Sequence, residues 1–295
     1  PDREAPPLTA FHVSKITLHA DRLSFIMKSF FERLQCRVES VNSLLCVGLD
    51  PHPSHIKDHS LEAISEFCLN IIHETHEFAA AFKPNAAFFE SRGADGVRVL
   101  TQICNTLHEM GIPIILDVKR GDIGSTASHY AKAAYDICKA DAVTLSPYMG
   151  WDSIAPFVTE EYKDRGAFVL CKTSNSSSVE FQEVQLKNGM LLFEKVAQQT
   201  AAWSDSTTPY CCLGMVTGAT DIKSLVQVRL LAPDAWLLCP GVGAQGGNAE
   251  DVCRAALRTD GSGLLVAVSR AISNPDVLES GKTMGDIARE LRDKI

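Results

Sequence analysis

No apolar run in this chain approaches the roughly 20 residues that a membrane-spanning helix needs, and the first residues carry neither the basic stretch nor the apolar core of a secretory leader. Positive charge is also scarce: 28 Lys and Arg stand against 36 Asp and Glu, a net charge of −8. That balance excludes a non-specific binder of nucleic acid or of anionic membranes, so any phosphate must be held by a local patch. Disulfide and metal frameworks are missing too. None of the ten cysteines forms a Cys-x-x-Cys pair, and Cys46, Cys171, Cys211, Cys212 and Cys239 sit in apolar runs as small hydrophobes. His73 and His76 lie three apart on an expected helix, and His52, His55 and His59 follow a proline-rich turn. Neither group has the three or four convergent ligands of a metal site. A reducing, cytoplasmic setting is the expectation. The chain opens on Pro1, so a trimmed start or a longer parent polypeptide is expected.

What is present is the mix of an ordinary globule, 45% apolar and 22% charged, in a chain long enough to bury a sizeable core without staples. Residues 1–21, with Pro1, Pro6 and Pro7, read as a tail, and 22–295 as a single domain. Between Asp21 and Glu39 the spacing of Leu23, Ile26, Met27, Phe30, Phe31 and Leu34 predicts an amphipathic helix. Short apolar runs follow at 44–49, 79–83, 112–118, 141–146, 166–171, 210–216, 235–239 and 263–268. Between them, stretches such as 61–78, 96–109, 126–139 and 222–231 have helical periodicity. Continuous apolar strands alternating with helices predict a parallel sheet covered by helices. Eight such units in one chain predict a (β/α)8 barrel, here with an N-terminal helical extension. A doubly wound open sheet is the rival, but no dinucleotide-binding glycine fingerprint follows the first strand. After the fifth strand, Ser174 opens a long excursion in which Asn188-Gly189 is a hairpin signal; it reads as a lid or an ornament at the barrel mouth.

A barrel of this kind carries its active site at the carboxyl ends of its strands. Polar residues cluster there: Asp50 after the first strand, Lys83-Pro84-Asn85 after the second, and Asp117-Val118-Lys119-Arg120-Gly121-Asp122 after the third. Lys172-Thr173-Ser174 ends the fifth. Asp117 and Lys119, two apart on a strand, are expected to point to the same side. A buried ion needs compensation, and Lys83 and Asp122 are available to complete an alternating Lys-Asp-Lys-Asp array. The alternative is a structural ion-pair network at the rim. The seventh and eighth strands argue for a ligand. Gly241, Gly243, Gly246 and Gly247 surround Gln245 in a loop able to aim backbone N–H groups at an anion, and Arg270 ends the eighth strand. Barrel enzymes frequently hold a phosphate at these two places.

With these residues in view, the chain resembles the orotidine 5′-monophosphate decarboxylase family. The resemblance rests on Asp50, Phe82-Lys83-Pro84-Asn85, Leu116 to Ile123, Pro240 to Gly247 and Val268-Ser269-Arg270, in order from about residue 44 to residue 285. The Lys-Thr-Ser-Asn-Ser stretch from Lys172 is similar to the longer-chain group of that family. The resemblance implies conversion of orotidine 5′-monophosphate to UMP and CO2 in pyrimidine biosynthesis, with no metal or organic cofactor. It implies Lys119 as proton donor to C6 of the pyrimidine, Asp117 and Asp122 beside the substrate carboxylate, and Lys83 tying the array together. Asp50 and Asn85 would contact the ribose and the array, and Thr173 or Ser174 the pyrimidine edge. Pro240, Gly243, Gln245 and Arg270 count as substrate-binding, with Gln245 and Arg270 gripping the phosphate. Asp122, Ile123 and Thr126 would reach across the interface of a homodimer. Tyrosine contacts known in other members do not carry over, because Gly246-Gly247 follows Gln245 here. Two rivals stay open: a metal-dependent sugar-phosphate decarboxylase or aldolase of the same superfamily, and a non-catalytic nucleotide-binding module.

Overall fold

Eight parallel strands form one sheet in the order β2-β1-β8-β7-β6-β5-β4-β3. They are β1 Leu45–Leu49, β2 Ala81–Pro84, β3 Ile115–Arg120, β4 Ala142–Leu145, β5 Gly166–Lys172, β6 Leu213–Thr217, β7 Leu237–Pro240 and β8 Leu264–Val268. Parallel bridges between Phe82 and Ile114 and between Asn85 and Asp117 close the ends of that order into a barrel. The computed structural model describes residues 29–56, 58–206, 213–243, 246–274 and 281–295. The expected tail and the first turns of the helix expected from Asp21 therefore lie outside the described residues, as do Gln245 and the start of the sixth expected strand.

The outer layer is built by α1 Phe30–Val41, α2 Leu61–Thr75, α3 Ala86–Glu90, α4 Gly93–Glu109, α5 Gly124–Lys132, α6 Leu192–Ser206, α7 Ile222–Leu231, α8 Ala249–Ala256 and α9 Met284–Lys294. Several begin where the sequence supplies a cap: Ser60 accepts from the N–H of Ala63 at 3.2 Å, and Asn248 from that of Asp251 at 3.1 Å. The 126–139 stretch breaks in two. α5 stops at Lys132 and a π-helical turn follows over Ala133–Ile137. After β4 only single 3-10 turns cover the sheet, at Trp151–Ser153, Ala155–Phe157 and Glu160–Tyr162. Among the described residues no helix is long and apolar enough to cross a membrane.

α1 closes the floor of the barrel. Ser29 and Glu32 form a reciprocal capping box at its start, and Phe30, Phe31, Leu34 and Val38 make its buried face. Phe31 stacks on Trp236 with ring centroids 6.1 Å apart and meets Phe168 edge-on at 5.5 Å. Gly166 leaves the room for this: a Cβ there would lie 2.2 Å from the Phe30 ring. Each buried aromatic side chain contributes about 2–3 kcal/mol, so the extension is part of the core.

Side-chain alternation then sets the site. Cys46, Ala81, Ile115, Ala142, Phe168, Leu238 and Leu265 share one apolar cluster with α1 inside the barrel. Their neighbours Leu45, Phe82, Leu116, Val143 and Val169 face the helices instead. Two residues further along, the inward positions become Gly48, Lys83, Asp117 and Thr144, and Lys172 lies at the end of β5. A polar layer therefore sits on an apolar floor.

Candidate active site

Lys83 and Asp117 are both 8% exposed, and such burial is costly for charged groups unless they are paired. They are. Lys83 Nζ lies 3.1 Å from Asp117 Oδ2, and Lys119 Nζ 2.6 Å from Asp117 Oδ1. The hydroxyl of Thr144 donates to the same Oδ1 at 2.8 Å. Desolvation works against ionising Asp117, but Lys83, Lys119 and these hydrogen bonds outweigh it and hold the carboxyl well below the usual range. For Lys83 desolvation is again the largest influence, and Asp117 with Asp50 reverses it, raising the ammonium above its ordinary value. Both groups stay charged through the neutral range, with one carboxylate bridging two ammonium groups.

The linkage has a definite sign. A carboxyl depressed by folding contributes stability above its unfolded pKa, near 3.9, and loses it as the pH falls further. The stability margin of the wild type over Asp117→Asn is therefore expected to be level from about pH 5 to pH 9 and to narrow below about pH 4. Urea unfolding across that range checks it; a margin that widens in acid would contradict the pairing.

The sequence expectation that Asp117 and Lys119 share a side of a regular strand needs correction. The β3–β4 register shifts between Leu116 and Arg120, and Lys119 has φ +45°. The two side chains meet at an irregularity in the β3–β4 pairing. Positive φ is uncommon and costly in a residue with a Cβ and concentrates at functional sites.

A cleft lined by Gly48, Asp50, Lys83, Pro240, Ser269 and Arg270 opens beside this array. Two buried oxygens on its wall, Asp50 Oδ1 and Ser269 Oγ, have no hydrogen-bond partner among the described residues. Unsatisfied buried polar atoms are rare, and here two belong to residues that line one cleft. Gly48 keeps that wall open: a Cβ there would stand 2.6 Å from Ser269 Cβ and 3.3 Å from Asp50 Oδ2. Arg270 is exposed at the rim.

Other expected site residues are placed differently from a simple array. Among the described residues no hydrogen bond or ion pair joins Asp122 to Lys83, Asp117 or Lys119; its Oδ1 accepts the N–H of Ile123 at 2.8 Å. The loop leads outward into α5, where Ile123 and Thr126 are exposed. Asn85 caps α3, accepting from the N–H of Ala87 at 3.2 Å. The glycine loop also departs from expectation. Gly243 and Gly247 donate to Gly247 and Gly241 carbonyls at 3.1 and 3.0 Å, and Gly246 to Gly243 at 2.8 Å. These three amides serve the loop itself, and Arg270 stands exposed at the rim. Gln245 lies outside the described residues.

The excursion after β5 is tied to the strand-end residues Lys172 and Thr173 by partners that the sequence does not single out, Gln182 and Glu183 among them. Lys172, 4% exposed, donates to Ser178 Oγ at 3.0 Å and pairs with Glu183 at 3.2 Å. Gln182 accepts from the N–H of Thr173 and donates to its hydroxyl, both at 2.8 Å. The hairpin at Asn188-Gly189 forms, with Gly189 at φ +86° and a bridge between Gln185 and Leu191. Thr144 is a residue of the site that the strand-end reading does not name. For Thr144 a signal exists, since counting in twos along β4 from Ala142 lands on it.

A model of the orotidine 5′-phosphate decarboxylase / HUMPS family matches residues 43–279. An orotidine 5′-phosphate decarboxylase of Roseiflexus castenholzii is 42% identical over 272 residues, covering 90% of this chain and 97% of that protein. Among solved structures, the OMP decarboxylase of Leishmania donovani superposes with a TM-score of 0.79 at 41% identity, covering 90% of this chain and 96% of that one. The UMP synthase of the same organism superposes with a TM-score of 0.80 at 42% identity, with 90% of this chain matched to 55% of that longer one. The family match spans every barrel strand and both halves of the charged cleft, and the chain belongs to the orotidine 5′-phosphate decarboxylase / HUMPS family.

Proposed function

We propose that this chain decarboxylates orotidine 5′-monophosphate to UMP and CO2, with Lys119 as proton donor. The observation that carries this is the bridging of Lys83 and Lys119 by Asp117 at one end of a cleft whose rim bears Arg270. Breaking the bond from C6 to the carboxylate releases CO2 and leaves its electron pair on C6. The Lys119 ammonium, fixed beside that carbon, stabilises the developing charge and then gives C6 its proton, which solvent restores. Asp117 stands where the departing carboxylate lies, Lys83 keeps it ionised, and Asp50 offers an unpartnered oxygen to the ribose hydroxyls. Thr173 or Ser174 meets the pyrimidine edge, with Gln182 holding Thr173 in place. Arg270 grips the phosphate, helped by Gln245, while Pro240 and Gly243 shape the loop beside it. A metal-dependent aldolase would need its carboxylates open to a cation, whereas Asp117 is occupied by two ammonium groups. Protein stripped with chelator is expected to form UMP from orotidine 5′-monophosphate at the untreated rate. Activity lost with chelator and restored by a divalent cation would overturn this reading in favour of the metal-dependent one.

The working unit of this proposal is a homodimer, with residues 22–295 as one catalytic domain. Asp122, apart from the array of its own chain, is assigned to the array of a second copy, together with Ile123 and Thr126. Ile123, Tyr130, Tyr148 and Met149 are exposed apolar side chains of the segments after β3 and β4, and Tyr148 is 89% exposed. An uncovered aromatic among other apolar side chains favours a protein interface. Mixing inactive Lys119→Ala with inactive Asp122→Ala should therefore restore about a quarter of wild-type activity, because a hybrid dimer contains one intact site. No recovery after subunit exchange would count against a shared site. A reducing, cytoplasmic setting completes the proposal, in keeping with the buried thiols of Cys46, Cys68, Cys104 and Cys171.

A further inference from the structure

Thr144 on β4 is 2% exposed and points at the place where β3 loses its register. Between the paired positions Leu116–Val143 and Arg120–Leu145, β3 takes four steps while β4 takes two. The excess chain holds Asp117, Val118 and Lys119, and its amides fall out of the ladder. One hydroxyl receives two of them. Thr144 Oγ1 accepts the N–H of Val118 at 3.1 Å and that of Lys119 at 3.0 Å, and donates its only proton to Asp117 Oδ1 at 2.8 Å. A hydroxyl has one proton and two acceptor positions, so its capacity is used in full. Lys119, held at this point, is the described residue of the array with positive φ.

We propose that Thr144 is a positioning residue: it holds the Lys119 backbone in its left-handed conformation and fixes the Asp117 carboxylate against which the Lys119 ammonium rests. Its effect on turnover rests on the decarboxylase reading above; its effect on the backbone does not. Valine has the shape of threonine without the hydroxyl, whereas serine keeps the hydroxyl and loses a methyl group. A small displacement of a reacting group costs about 100-fold in rate. Thr144→Val is therefore expected to lower kcat about 100-fold with KM within about threefold, and Thr144→Ser to stay within about fivefold of wild type. A role in packing alone would spare kcat in both variants, or penalise serine as much as valine; either result overturns the proposal. Thr144→Ala, which also lacks the hydroxyl, gives the same decision if the valine variant does not fold.

Hydrogen exchange in the substrate-free protein separates this proposal from the function it serves. The Val118 and Lys119 amides should exchange at least about tenfold faster in Thr144→Val than in wild type or Thr144→Ser. Unchanged exchange overturns the positioning role whatever the enzyme does with orotidine 5′-monophosphate. Faster exchange, in a wild-type protein that forms no UMP, supports the positioning role and discards the decarboxylase reading.

Discussion

Lys119→Ala is expected to lower kcat for orotidine 5′-monophosphate by about 10⁴-fold or more, with KM within about tenfold of wild type. The expectation follows from how the charges are stacked. Decarboxylation places an electron pair on a ring carbon, and stabilisation of that charge must already be aimed when the bond breaks. Lys83 cannot take over, since it is buried at the far oxygen of Asp117, 3.1 Å away, with its side chain 10% exposed. Lys119 pairs with the other oxygen and has its side chain 52% exposed, so its ammonium is the more accessible of the pair. Removing it takes away both the stabilising charge and the proton. The fold should survive, because a side chain this exposed contributes little packing. Steady-state kinetics with circular dichroism as the folding control decide the matter. Activity within about tenfold of wild type would place the proton donor elsewhere.

The phosphate end is expected to produce the second large effect. Orotidine without its phosphate should react with a kcat/KM about 10³-fold lower or worse, because binding energy from a remote group is what aligns the reacting end. Arg270→Ala should raise KM for the nucleotide about 50-fold, the range of one lost charge-assisted contact. The same substitution should leave the unphosphorylated nucleoside within about threefold of its wild-type rate, since Arg270 then has nothing to grip. The internal hydrogen bonds of the glycine loop sharpen this test. With Gly243, Gly246 and Gly247 amides engaged in the loop, Arg270 bears a larger share of the anion than a glycine cradle would leave to it. Equal losses for nucleotide and nucleoside would mean that Arg270 acts on something other than phosphate.

The barrel was legible in the sequence because each strand is buried on both faces, which writes it as a short continuous apolar run. α7 matches the expected 222–231 stretch, and most strands fall within a few residues of the expected runs. The floor-closing role of α1 was not legible, since periodicity reports that a face is apolar but not what covers it. Nor was the split of the 126–139 stretch, whose π-helical turn at Ala133–Ile137 leaves the side-chain pattern almost unchanged.

For the site, Lys83, Asp117 and Lys119 could be named from their places at strand ends. The left-handed backbone of Lys119 could not, because it depends on Thr144 from the neighbouring strand. The use of Asn85 as a helix cap was hidden for a similar reason: the same side chain suits a ligand or an N-terminus. Asp122 is the expected array member that one chain does not bring to the array. Sequence spacing suggests a compact set, but the turn at Gly121 carries Asp122 outward, and the proposed array is completed by a second copy.

The most direct test of the central claim is a structure of the protein with UMP bound. Lys119 Nζ is expected at about 3 Å from C6 of the pyrimidine, with Arg270 on the phosphate and Asp122 of a second copy beside the same ring. A pyrimidine seated with C6 turned away from Lys119, or a phosphate held at the other end of the cleft, would contradict it.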